Sequence, residues 1–164
     1  FYLKNLFIFV AKLNVMYRIY LDDIRTPTGD NWIVVRNYDE FVNKVNELGL
    51  PNIEIISLDH DLGDTAMDEY FNNVSPNYEL NYDNIKEKTG YDAAKFLVSL
   101  FHNTNEARFN MSRSERKADK FVFPLVYVHS ANPIGSANIM GYLNNFYMNE
   151  GQAQTCVRVR IPHV

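Results

Sequence analysis

Three short stretches of this sequence gather the residue types that acid–base and phosphate chemistry use. Asp22-Asp23 is followed by Ile-Arg-Thr-Pro, Asp59-His60-Asp61 by Leu-Gly, and His129-Ser130 by Ala-Asn-Pro. Each ends an apolar run of the kind that forms a strand, at residues 17–21, 53–58 and 121–128. In an open α/β sheet, ligands bind outside the carboxyl ends of the strands, so these polar groups stand where a site is expected. An Asp after a strand is often only a turn former. Two carboxylates flanking an imidazole exceed what a turn needs.

If the three strands are neighbours, the groups converge on one crevice. At about 4 Å and an effective dielectric near 20, each pair of carboxylates repels by roughly 4 kcal/mol. Either some of them are protonated or a cation neutralises them. An oxygen-rich site suits a hard ion such as Mg²⁺ or Mn²⁺, which typically pairs with phosphate substrates. His60 and His129 are then free for proton transfer near neutral pH, or they ligate a softer metal. In an extended strand Asp59 and Asp61 point the same way and His60 the other, unless the turn at Gly63 relaxes the rule. Arg25 can hold a phosphate oxygen in a bidentate fork or form a surface ion pair. Ser130 and Asn132 are hydrogen-bonding candidates for the site, or caps for the helix that follows Pro133.

The elements that must position these residues alternate. Strands are expected at Tyr17–Leu21, Trp32–Arg36, Ile53–Leu58, Phe121–Val128 and Thr155–Ile161. Asn37 with Glu40 forms a capping box ahead of a helix whose stripe is Phe41, Val42, Val45 and Leu48, stopped by Gly49 and Pro51. A second helix opens near Gly90-Tyr91-Asp92 with Ala93, Phe96, Leu97 and Leu100 on one side. A third carries Ile139, Met140, Leu143, Phe146 and Tyr147. Strand–helix alternation implies an α/β fold with a mainly parallel sheet. Between Asp22 and Trp32 there is too little chain for a crossover helix, so the first helix is missing or reduced. The insertion 64–89 is long for a connection: a cover for the site, a small subdomain or a mobile loop. Its aromatics Tyr70, Phe71, Tyr78 and Tyr82 either stack on a nucleobase or hold the loop down.

The 164 residues suffice for one domain with a sizeable core, 16–164, with an extension at 1–15. That extension is apolar but too short to span a membrane and lacks a secretory cleavage pattern. It reads as incidental sequence ahead of Met16, or as an extra helix packed on the body, and is expected to be dispensable for chemistry. A net charge of −4 argues against broad DNA binding, and Arg108, Arg113, Arg116, Lys117 and Lys120 read as a solvated face. A single cysteine, Cys156, suits a reducing cytoplasm and a place in the core.

The motifs Leu21–Pro27, Leu58–Gly63, Thr89–Asp92 and Val128–Pro133 together resemble the cyclic-phosphate-processing receiver-like domain, a bacterial and phage relative of response-regulator receivers. The resemblance runs from Met16 to about Phe146. It implies a flavodoxin-like five-stranded sheet, a Mg²⁺-binding acidic pair at Asp22 and Asp23, and Asp59 and Ser130 at the phosphoacceptor and hydroxyl positions. His60, Asp61 and His129 resemble the family's proposed hydrolytic set. The receiver lysine before a proline is replaced by Ile161 before Pro162, which argues against phosphorelay signalling.

The expectation is therefore a metal-dependent phosphoesterase. Asp22, Asp23 and Asp59 would hold Mg²⁺ or Mn²⁺, and His60, Asp61 and His129 would do the acid–base work. Arg25, Ser130 and Asn132 would bind a cyclic phosphate of a nucleotide or RNA end. Two alternatives stay open: a non-catalytic receiver-like module that binds a nucleotide or partner, and a phosphatase with a nucleophilic aspartate.

Overall fold

Strands β1 (Tyr17–Leu21), β2 (Ile33–Val35), β3 (Ile53–Leu58), β4 (Leu125–Val128) and β5 (Val157–Arg158) form one sheet in the computed structural model, which describes residues 16–29, 31–109 and 123–163. The order is β2-β1-β3-β4-β5 and every pairing is parallel. Helices α1 (Tyr38–Leu48), α3 (Gly90–Phe109) and α4 (Pro133–Asn149) flank it. A shorter helix, α2 (Asp64–Glu69), runs on through a π-helical turn, Tyr70–Val74, and one more α-helical turn, Ser75–Asn77. Residues 1–15 and the basic positions from Arg113 to Lys120 lie outside the described residues.

The α/β class and the parallel sheet are those the alternation implies. Among its described residues the β1-to-β2 connection holds no helix, although the two strands pair in parallel from Ile19↔Ile33 to Leu21↔Val35. Arg36 replaces part of what that helix would do. Its guanidinium donates to the Asp22 carbonyl at 3.0 Å, the Arg25 carbonyl at 2.7 Å and Thr26 Oγ1 at 2.7 Å, fixing the loop that carries Arg25. α1 begins as its cap dictates, with the Glu40 amide donating to Asn37 Oδ1 at 2.9 Å.

Strand parity divides the sheet into two faces. Ile19, Leu21, Ile56, Leu58, Val126 and Val128 enter one hydrophobic core with Phe41 and Val45 of α1, Leu97 and Phe101 of α3, and Ile139 and Leu143 of α4. Tyr20 has the opposite parity; it stacks on His129 and meets Trp32 edge-on. Cys156 is buried in the core, and burial pushes its thiol up to about 12.

Three strands are shorter than expected. β2 loses a residue at each end. β4 begins after Pro124, whose nitrogen has no hydrogen to donate to a ladder. β5 spans only Val157–Arg158, because its single partner β4 ends at Val128. The Val159 amide still reaches the Val128 carbonyl at 2.8 Å. The chain then crosses to the β1 loop, where the Thr28 amide donates to the Pro162 carbonyl at 2.8 Å.

The start of α3 is pressed against the end of β3. The Gly90 amide donates to the His60 carbonyl at 3.0 Å, and a Cβ on Gly90 would lie 1.8 Å from the Asp59 carbonyl oxygen. Only glycine permits that approach. Gly90→Ala is therefore expected to destabilise the fold by roughly 1–3 kcal/mol, the usual penalty of overpacking. Gly141, mid-helix with nothing within 4 Å of an added Cβ, is the control. Gly141→Ala should gain about 0.5–1 kcal/mol. Urea unfolding of both variants measures the difference, and equal behaviour would contradict the close approach.

Candidate functional site

Asp22 leaves β1 fully buried and folds the chain back on itself. Its Oδ1 accepts from the amides of Ile24 at 2.9 Å and Arg25 at 2.6 Å. That turn aims the Arg25 side chain across the strand ends. Nε donates to Asp22 Oδ2 at 2.6 Å and Nη2 to Asp59 Oδ2 at 2.7 Å. Arg25 thus bridges two buried carboxylates from neighbouring strands, and the expected surface ion pair is a largely buried one. Ser130 lies near enough to Asp59 to favour its charged form.

His129 stands on the same side. Its Nε2 lies 3.1 Å from Asp22 Oδ2, its Nδ1 2.7 Å from Ser57 Oγ, and its ring stacks on Tyr20 at 4.1 Å. One donor atom each from Asp22, Asp59 and His129 falls within 4.8 Å of the others. The set expected from the sequence is Asp22, Asp23 and Asp59; the atoms that converge here are those of Asp22, Asp59 and His129. Asp23 is a half-buried neighbour that feels the charges of Asp59 and Asp22.

Burial pushes the Asp22 carboxyl up, but hydrogen bonds from His129 and from the Arg25 and Ile24 amides outweigh it and hold the pKa at about 2. Asp23 goes the other way: burial first, then the negative charges of Asp59 and Asp22, raise it to about 6. Asp59 is also raised, by burial against the pull of Arg25. Asp22 is therefore the firm anion of the trio, and Asp59 within it and Asp23 beside it compete for the remaining positive charge.

Asp59 and Asp61 do not share a site, contrary to simple alternation. The strand ends at Leu58, so the parity rule stops there. His60 and Asp61 instead form a second, fully packed cluster. Asp61 Oδ1 accepts from His60 Nδ1 at 2.6 Å and from Asn132 Nδ2 at 3.2 Å. His60 Nε2 then accepts from the Tyr82 hydroxyl at 3.1 Å, whose oxygen accepts from Asn138 Nδ2 at 3.0 Å. Asn132 also caps α4, its Oδ1 accepting from the Gly135 amide at 2.9 Å. A Cβ on Gly135 would sit 2.2 Å from His60 Cγ, so the helix packs directly on the imidazole.

The insertion supplies one aromatic to this cluster. Tyr82 covers His60, with ring centroids 5.7 Å apart, and leans on Tyr91. Phe71 and Tyr78 are 63% and 71% exposed. Glu69, buried, holds the segment down by accepting from the Asn81 amide and from the side chains of Asn73 and Asn84, which together lower its pKa against burial. Tyr82 was legible only as one of four aromatics, and Ser57 only as a hydroxyl inside an apolar run.

A cavity of about 570 Å³ opens beside the Asp–His trio, lined on one side by Tyr20, Arg25, His129 and Ser130 and on the other by residues 158–163. Ile161 lies in that wall, and the cation at Asp59 is Arg25.

The sheet order 2-1-3-4-5, with polar groups at the β1/β3 switch point, defines a receiver-like α/β domain. The family model described as the cyclic-phosphate processing receiver domain matches residues 17–145, most of the chain, and the protein belongs to that family. No curated protein and no solved structure gives a significant match. Among the described residues no helix is long and apolar enough to cross a membrane.

Removing Arg25 leaves two buried carboxylates facing each other. Arg25→Ala is expected to cost roughly 2–4 kcal/mol in urea unfolding without divalent ions, the lower part of the range for a broken buried pair because Arg25 is 26% exposed. The same variant should bind Mn²⁺ more tightly than the native protein in calorimetric titration. Weaker binding would mean that the guanidinium does not occupy the place of a cation.

Proposed function

We propose that the protein hydrolyses the cyclic phosphodiester of a nucleotide or RNA end to a phosphomonoester. Water adds to phosphorus, one ring P–O bond breaks, and the water proton ends on the released ribose hydroxyl. The observation that carries the reading is the convergence of Asp22, Asp59 and His129 donor atoms beside a cavity walled by arginines. Membership of a cyclic-phosphate-processing family supports the substrate class.

The donor set fits a divalent cation. Two carboxylate oxygens suit Mg²⁺ or Mn²⁺, and the imidazole nitrogen is a borderline donor that favours a first-row ion such as Mn²⁺ over Mg²⁺. A guanidinium already lies between the carboxylates, which shows that the pair is built around positive charge. A bound ion would supply Lewis-acid polarisation of the phosphoryl oxygen. His129 must then hold its proton on Nδ1 and leave Nε2 free. Ser57 allows this, because its hydroxyl accepts from Nδ1 as readily as it donates. Arg25, released from the carboxylates, binds the phosphate in its fork, and Ser130 orients Asp59. His60 and Asp61 act as positioning residues: their cluster fixes the end of β3 and the start of α4.

One observation favours the non-catalytic reading. Arg25 satisfies both carboxylates without any other cation, as a binding module would require.

Steady-state assays with 2′,3′-cyclic mononucleotides, cyclic mononucleotides, cyclic dinucleotides and 2′,3′-cyclic RNA ends separate the two. Turnover that needs Mg²⁺ or Mn²⁺, and that Asp59→Asn lowers about 100-fold or more, is expected for a site worth several kcal/mol of charge stabilisation. Ser57→Ala should weaken the cation about 10–100-fold by removing the group that sets the imidazole tautomer. Ligand binding without turnover under every divalent ion would leave only the binding module.

A further inference from the structure

The far wall of the cavity, residues 158–163, lies beyond the part of the chain that the family model matches, which ends at residue 145. It is tied to both loops that carry the site. Arg158 Nη2 donates to the Ser130 carbonyl at 2.7 Å and the Ala131 carbonyl at 3.2 Å. On the other side, Pro27 and His163 form a β-bridge, and Thr28 Oγ1 joins its amide on the Pro162 carbonyl. The wall therefore holds a fixed position relative to Asp22 and His129.

Its charge is concentrated and largely uncompensated. Arg25, Arg158 and Arg160 line the cavity with His129 and His163, and among the described residues no carboxylate belongs to the lining, in a chain whose net charge is −4. Arg25 is paired with Asp22 and Asp59. Arg158 gives its hydrogen bonds to neutral carbonyls and has no ion pair among the described residues. Arg160 is exposed and has no ion pair among the described residues. In the proposed function, Arg25 binds the phosphate that reacts. The volume, about 570 Å³, falls within the range of pockets that bury a whole small-molecule ligand.

We infer that the cavity binds a ligand with a second phosphate group, held by Arg160 and His163 across from the reacting one. The substrate class is then a phosphodiester-linked nucleotide, either an RNA end or a cyclic dinucleotide, and not a cyclic mononucleotide. The inference rests on the phosphoesterase reading for what occupies the first phosphate position.

Calorimetric binding to the full chain tests it with ligands that need no turnover: adenosine 3′-monophosphate, a diadenylate carrying a 3′-phosphate, and the same diadenylate with an uncharged methylphosphonate linkage. The native protein should bind the charged diadenylate about ten-fold more tightly than either other ligand, the worth of one charge-assisted contact. Arg160→Ala should remove that advantage and Arg160→Lys restore part of it. His163→Ala, on an exposed side chain, gives a second variant. An advantage that survives both alanine variants, or that the neutral linkage reproduces, overturns the inference, since base stacking then accounts for it. Cyclic di-adenylate run in parallel identifies the source: whichever diphosphate depends more on Arg160 is the class selected. An Arg160-dependent advantage in a protein that opens no cyclic phosphate would refute the reaction and keep the second phosphate site.

Discussion

Asp22 and Asp59 end neighbouring strands, are almost fully buried, and cannot coexist there as anions without positive charge between them. Much of the local architecture answers that constraint. The missing first helix leaves a short loop that doubles back at Asp22 and delivers Arg25 to both carboxylates. Arg36 then fixes the loop from β2, and the segment after β5 closes over it. A regular helix after β1 would have carried Arg25 away from the sheet edge. The loss of that element and the presence of an internal cation are thus one structural fact.

The same strand ends separate two histidines that look alike in sequence. His129 stays on the Tyr20 face, beside the cavity, with a serine behind it. His60 passes to the helical side and is locked by Asp61, Tyr82 and the backbone of α4. Both imidazoles have both nitrogens engaged, but only His129 lines the cavity, where it can meet a ligand. Asp59 joins the two clusters, because its Oδ1 accepts from the His60 amide at 2.8 Å while its Oδ2 takes Arg25. A shift of Arg25 is therefore felt at the base of the His60 cluster.

The five strand positions, the α1 cap and the convergence of Asp22, Asp59 and His129 were legible because each depends on local pattern: apolar parity, Asn37 with Glu40, and polar residues at strand ends. The partition of Asp59 from Asp61 was not, because alternation holds only while the chain is extended and β3 ends at Leu58. Arg25 was recognised as a phosphate fork or an ion-pair partner, but its two carboxylates lie on different strands and only the fold brings them together. The basic wall at Arg158–His163 was hidden in what read as a longer final strand. Its shape comes from tertiary contacts with residues 27–28 and 130–131, which no sequence period records.

If Arg25 and a divalent cation alternate at one place between Asp22, Asp59 and His129, as proposed, anomalous diffraction from crystals soaked in Mn²⁺ measures it directly. One strong peak is expected, bonded to carboxylate oxygens of Asp22 and Asp59 and to His129 Nε2, with the Arg25 guanidinium moved off both carboxylates toward the cavity. A peak elsewhere, or an Arg25 that keeps both carboxylate contacts at saturating Mn²⁺, would contradict it.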